Sequence, residues 1–205
     1  MASAASPQIR QSSLVDVAKA EMRSQMLKHR KTLRDAEAGA AEAIRDQVLA
    51  ALTVPEDAVF AGYVAIGDEL DPAPTMRALS ERGHRLVLPV AGNAGETMSF
   101  KEWTYGERLV RGPYSTYVPG GEESPVFPDI VIVPVVAFDA TGYRLGFGGG
   151  FYDRTLAQLR LERKIATYGI AYDEQEVPEI PRGPFDVRLD GLFTPTRTFD
   201  FPSPE

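Results

Sequence analysis

Residues 144–154 read RLGFGGGFYDR, with four glycines in the five positions 146–150, an arginine at each end and an aspartate beside the second. Glycine admits positive φ and lets main-chain N–H groups come close to a bound group. Consecutive amides of this kind form a concave nest for an anion. An apolar run, DIVIVPVVAF (129–138), precedes the loop, and a helical pattern over 153–163 follows it. A helix N-terminus adds unpaired N–H groups and a dipole that favour negative charge. Arg144 and Arg154 add charge-assisted donors for phosphate oxygens. The chemistry implied is phosphate or nucleotide binding. Neither the G-x-x-x-x-G-K-[ST] pattern nor a dinucleotide fingerprint behind the first strand is present.

Carboxylates and cations elsewhere extend that reading. Asp153 is either a helix cap or a magnesium ligand, since magnesium takes one or two carboxylates together with phosphate. Asp186 and Asp190, in PFDVRLD, offer further oxygens. Lys19, Arg23 and Arg30 share one side of a helical wheel, as a solvated edge or as a clamp on phosphates. AIGDELDP (65–72) places three carboxylates just beyond a strand pattern. Asp68 and Asp71 suit turn and helix caps. Glu69 is either a solvated turn residue or the acceptor for an amino-bearing heterocycle such as a pterin. Trp103, with Tyr114 and Tyr117 in the loop beyond it, is either packing or a flat wall for a ring.

The elements that must position these groups follow from periodicity. Helices are expected over Ser13–Leu33, with Ser13 and Asp16 as a capping box, over Ala36–Leu52 and over 75–83. Strands are expected at 58–66, 84–90, 98–103, 129–138 and 165–172. Residues 1–12 and 196–205 read as flexible ends. Alternating strands and helices imply an α/β fold: a mostly parallel central sheet with helices on both faces, a Rossmann-like open sheet. Ligands of such sheets bind beyond the strand ends. The whole chain, 1–205, reads as a single domain.

Composition sets limits. The chain has 205 residues, a formal net charge of -7, no cysteine and two histidines. These features exclude disulfides, thiolate catalysis and sulfur-built zinc sites. The acidic balance disfavours nucleic acid and anionic membrane as partners. No apolar run approaches the ~20 residues of a membrane span, and the N-terminus lacks the apolar stretch of a secretory signal, so the expected compartment is the cytoplasm. The residues alone admit an ATP-dependent enzyme acting on an acid, or a module that binds nucleotide or folate without turnover.

The chain resembles the 5-formyltetrahydrofolate cyclo-ligase (methenyltetrahydrofolate synthetase) family from about Val17 to Phe193. The most specific element is AFDATGYRLGFGGGFYDRTL (137–156), supported by Lys19 and Arg23, GYVAIGDELDP (62–72), GHRLVLPV (83–90), MSFKEW (98–103) and GIAYDEQEVPEIP (169–181). The resemblance implies conversion of 5-formyltetrahydrofolate to 5,10-methenyltetrahydrofolate with ATP and magnesium, and a monomer is favoured. It implies that Lys19 and Arg23 contact ATP phosphates. It puts the nucleotide on Arg144, Leu145, Gly146, Phe147, Gly148, Gly149, Gly150, Phe151 and Tyr152. Magnesium falls on Asp153 and Asp186. Val64, Glu69 and Trp103 are the folate candidates. Arg144, Tyr152 and Arg154 are the catalytic ones, with Tyr152 between the two substrates. The family commonly reads GYYDR where this chain has Phe151 before Tyr152, and HD where Phe185 precedes Asp186.

Overall fold

The computed structural model describes residues 7–121 and 124–202. Helix α1 spans Pro7–Ala36 and α2 spans Ala40–Ala51. The chain breaks between them at Gly39, whose φ of 95° is a left-handed conformation that interrupts a helix. The expected second helix therefore begins at Ala40, beyond the break. Ile44 and Val48 are buried one turn apart on its inner face. The expected capping box does not form, because α1 runs unbroken through Ser13. Of the supposed flexible arm, residues 7–12 are helical, and 1–6 lie outside the described residues.

Strands β1 (Val59–Ala61), β2 (Arg85–Ala91), β3 (Met98–Glu102), β4 (Leu109–Arg111), β5 (Tyr117–Pro119) and β6 (Ile130–Pro134) follow, with helix α3 (Ala73–Glu81) between β1 and β2. Then come β7 (Ala137–Phe138), β8 (Arg144–Leu145), helix α4 (Phe151–Glu162), β9 (Ala166–Ile170), β10 (Gly191–Phe193) and β11 (Thr198–Asp200). The main sheet has the order β11-β10-β9-β6-β1-β2-β3. β10, β9, β6, β1 and β2 are parallel, and the two edge strands are antiparallel to their neighbours. This is the expected mostly parallel open sheet.

The two-residue period of a strand divides its side chains between two cores. Ile130 and Ile132 of β6 join Phe60 of β1 in a core with Leu33, Ile44, Val48, Met76 and Leu79 from the first three helices. Val131 and Val133 join Val59 and Ala61 in the opposite core, with Leu156 and Leu159 of α4. Leu156 is fully buried, so truncating it to alanine costs about 2–5 kcal/mol.

Three expected elements change shape. The run 129–138 is two strands: β6 ends at Pro134, and β7 turns away to pair with β8. The glycine loop thus leaves a small hairpin instead of the central strand. Residues 62–66, expected to continue β1, are not strand: β1 ends at Ala61, and the Gly62 N–H still donates to the Val87 carbonyl of β2. The tail is ordered in part: β11 pairs with β10, and Phe201 is buried. Its FDF alternation (199–201) is short and lies among Pro and Thr, so local pattern did not reveal it.

Candidate active site

The C-terminal ends of β1, β2 and β6 meet at one edge of the sheet. There a cleft of about 720 Å³ opens between α1, the segment 63–69, the turn 114–117 and the glycine loop. Lys19, Arg23, Val64, Glu69, every residue from Arg144 to Asp153, and Asp186 line it. These positions are up to 167 residues apart in the chain. Of the other expected site residues, Arg154, Trp103 and Asp190 lie elsewhere.

Helix α1 reaches the cleft through one row of cations. Lys19 Nζ donates to both carboxylate oxygens of Asp186, each at 2.5 Å. One turn on, Arg23 Nε donates to the Gly146 carbonyl at 2.7 Å. Its guanidinium lies so close to Gly148 that a Cβ there would fall 3.2 Å from Arg23 Cζ. Gly148 also has φ +100°, which L side chains rarely adopt. Arg30 continues the row but is buried, and its Nη1 donates to the Val135 carbonyl at 3.2 Å. The helical-wheel choice between solvated edge and clamp thus resolves differently along one helix, with Lys19 and Arg23 at the cleft and Arg30 inside.

The loop's flanks are pinned from behind. Arg144 is buried, and its Nη1 donates to Asp153 Oδ1 and to the Val187 carbonyl, both at 3.2 Å. The Val187 N–H donates to that same Asp153 oxygen at 3.1 Å. The hydrogen bonds onto Asp153 among the described residues thus fall on Oδ1 alone. Asp186 additionally accepts from the Gly183 N–H at 2.6 Å. Among the described residues no three His, Cys, Asp or Glu side chains cluster as a protein cage for a metal. Asp153 and Asp186 each border the cleft with a cation already against them.

The opposite wall is different in kind. Glu69 is 7% exposed and accepts from the Ile66 N–H at 2.8 Å. Burial pushes its pKa above the ordinary carboxylate range, while that hydrogen bond and the charge of Arg30 oppose the rise. Tyr63, Val64, Ile66, Pro89, Ala91, Met98 and Pro134 line the same cleft with mainly apolar surface. Tyr114 and Tyr117 stand at the mouth with Thr116. Tyr114 and Ser115 hold φ of 54° and 59°, a strained pair for residues with side chains. The Tyr152 phenol is driven far above its ordinary pKa by burial and the charge of Glu69, with Arg144 opposing. It is therefore a neutral hydroxyl.

Three placements correct the expectation. Arg154 does not line the cleft: it donates to the carbonyls of Glu96 and Gly149 and sits 5.2 Å over the Phe151 ring, bracing the loop from outside. Trp103 lies at the other edge of the sheet. β3 runs antiparallel to β2, so Met98 meets the cleft while Trp103 meets the N-terminal end of β2, where its N–H donates to the Leu86 carbonyl. Its indole donates to the Glu107 carbonyl at 3.2 Å and packs on Tyr105. Asp190 is likewise remote. It accepts from Thr167 and Arg160 and ties β9 to the start of β10.

Sequence reasoning missed Tyr63, Pro89, Ala91, Met98 and Asp16. The available signal was position: all but Asp16 lie at or beside the cleft end of a strand, where open α/β sheets bind ligands.

The chain matches the 5-formyltetrahydrofolate cyclo-ligase family over residues 15–195. It is 33% identical to the 5-formyltetrahydrofolate cyclo-ligase of Mycolicibacterium smegmatis over 189 residues, covering 87% of this chain and 94% of that one. It is 34% identical to the Escherichia coli K12 enzyme of the same name over 148 residues, 68% of this chain and 79% of that one. The NMR structure of Aquifex aeolicus 5,10-methenyltetrahydrofolate synthetase superposes with a TM-score of 0.75 at 28% identity, over 91% of this chain and 94% of that one. The Mycoplasma pneumoniae synthetase gives a TM-score of 0.65 at 25% identity, over 86% and 98% of the two chains.

Proposed function

The chain belongs to the 5-formyltetrahydrofolate cyclo-ligase family, and we propose that the cleft at the sheet's C-terminal edge is where it does that chemistry. The protein is an ATP-dependent ligase that converts 5-formyltetrahydrofolate to 5,10-methenyltetrahydrofolate. The observation that carries the placement is one cavity with two unlike walls. A cationic, glycine-lined wall faces an apolar wall that holds a single buried carboxylate.

In this reading Glu69 accepts hydrogen bonds from the amino-bearing edge of the pterin. Val64 and Tyr63 pack on the ring. The amides of 146–150, with Lys19 and Arg23, receive the polyphosphate. An N-formyl group is an amide, and its oxygen is a poor leaving group. The formyl oxygen receives the terminal phosphoryl group of ATP as ADP departs, N10 attacks the formyl carbon and gives up its proton, and phosphate leaves with the formyl oxygen as the ring closes. The protein's part is alignment and charge stabilisation. Arg144 holds Asp153 and the end of the loop, and presents a fixed positive charge beside the transferring group. Tyr152, next to Arg144, bridges the two substrates as a neutral hydroxyl. Arg154 supports the loop without touching substrate. Trp103 has no part.

The donor set suits magnesium. Two carboxylates on separate loops border a phosphate nest, which is the sparse oxygen set that this ion takes together with nucleotide phosphates. When bound, magnesium would draw charge from the phosphate oxygens. Lys19 holds Asp186 in its place beside the loop.

We read the chain as one such domain, working as a monomer in the cytoplasm on a small-molecule folate and without nucleic acid. No described helix is long and apolar enough to cross a membrane. The test is direct: purified protein with 5-formyltetrahydrofolate and Mg-ATP should produce the ultraviolet absorbance of the methenyl product. Omitting ATP or magnesium should abolish it. Product formed without ATP would refute the mechanism.

A further inference from the structure

Arg30 is the one cation of the α1 row that the reaction as described does not use. It is 2% exposed, and its Nε has no hydrogen-bond partner among the described residues. A buried donor of this kind calls for an explanation from its surroundings. Two groups touch its guanidinium. Nη1 donates to the Val135 carbonyl, which also accepts from Gln175 Nε2 at 2.9 Å. Val135 directly follows Pro134, the cleft end of β6. The guanidinium carbon lies 5.2 Å from the centre of the Phe147 ring, which is the only large side chain within the glycine run and is half-exposed at the cleft. A cation over an aromatic face is attractive and fixes the ring's plane. Beyond these contacts, the charge of Glu69 favours the Arg30 cation more than any other charge does, against the burial that disfavours it.

We propose that Arg30 is a positioning residue for both substrates, holding Phe147 in the nucleotide loop with its planar face and Glu69 in the folate pocket with its charge. The inference rests on the reading that Glu69 holds folate and 144–152 hold the nucleotide. It explains why a basic side chain occupies the buried end of an otherwise cleft-facing row. It also explains why one phenylalanine interrupts the glycines: its ring is the handle by which α1 grips the loop. Lysine keeps the charge but lacks the flat face, so the two functions are separable.

The experiment measures the KM for each substrate, kcat and the Tm for R30K, R30M, E69Q and R30M/E69Q. R30K should keep the folate KM within about twofold of wild type and raise the ATP KM about tenfold. R30M should raise both by about tenfold. In the E69Q background R30M should add no more than about twofold to the folate KM, because its route to folate is already cut. A merely structural arginine would lower the Tm with both KM values unmoved, or would add its full folate effect to that of E69Q. Either result overturns the proposal. Should R30M not fold, R30K decides, and a wild-type ATP KM there rejects the role of the planar face. E69Q with a wild-type folate KM would instead overturn the folate assignment of Glu69, and the inference with it. The E69Q single variant therefore tells the two failures apart.

Discussion

The two walls of the cleft are built by opposite strategies. The glycine-loop wall is a contiguous stretch, 144–153, met by Lys19 and Arg23, one turn apart on α1. Its contacts are polar, directional and held by pairs such as Lys19–Asp186 and Arg144–Asp153. The apolar wall takes single residues from the ends of β1, β2 and β6, from β3 and from the 114–117 turn. Only Glu69 brings charge to it, inside a setting that disfavours charge. An anion must be met by many fixed donors, so its site leaves a dense local signature. A flat ring needs shape, and shape can be assembled from residues that mean nothing alone.

Substitutions on each wall can break this contrast, beginning with the largest effect. R144A should lower kcat by about 10²–10³ with little change in folate KM, as expected for a preorganised charge that acts in the transition state. Near-wild-type steady-state kinetics would remove Arg144 from catalysis.

E69A should weaken folate binding by about 10–100-fold, the range for a charge-assisted hydrogen bond, and leave ATP affinity alone. Calorimetry with folate would detect this, and unchanged affinity would end the contrast. The pH behaviour sharpens it. Burial raises the Glu69 pKa, so folate kcat/KM should fall as pH drops through a midpoint above the ordinary carboxylate value, and E69Q should lack that limb. The facing groups Arg30, Tyr63 and Tyr152 stay in one charge state across that range. Stability runs the other way. A carboxyl whose pKa is raised on folding contributes stability below its unfolded pKa and loses it as pH rises through the folded one. E69Q should therefore melt higher than wild type at pH 7, with the gap closing in acid.

G148A places a side chain at φ +100° and against Arg23. It should raise the ATP KM about tenfold, the equivalent of 1–2 kcal/mol of left-handed strain, and spare folate. W103F should do least. It removes the hydrogen bond to the Glu107 carbonyl, lowering the Tm by roughly 2–5 °C, with both KM values unchanged. A folate KM effect in W103F would return Trp103 to the site.

The same contrast governs what could be read from the chain. The sheet class was legible because its strands and helices alternate and are apolar for their own length. The splitting of 129–138 was not, since Pro134 is compatible with either course and the β7–β8 pairing is a contact between separate segments. Glu69 could be named from its place beyond a strand. Trp103 was misassigned because a lone tryptophan near tyrosines suggests a ring pocket, and only the antiparallel direction of β3 sends it to the far edge. Arg154 was placed with its loop by adjacency in sequence, yet its side chain turns outward to Glu96 and Gly149.

By itself the amino-acid order determined the glycine nest, the charges beside it and the absence of thiol chemistry, because these depend on residue types and short spacings. The three-dimensional fold alone decided which oxygens and cations face each other: Lys19 with Asp186, Arg144 with Val187, Arg30 with Phe147. Those pairings join segments far apart in the chain, and burial and juxtaposition are properties of packing that no local window contains.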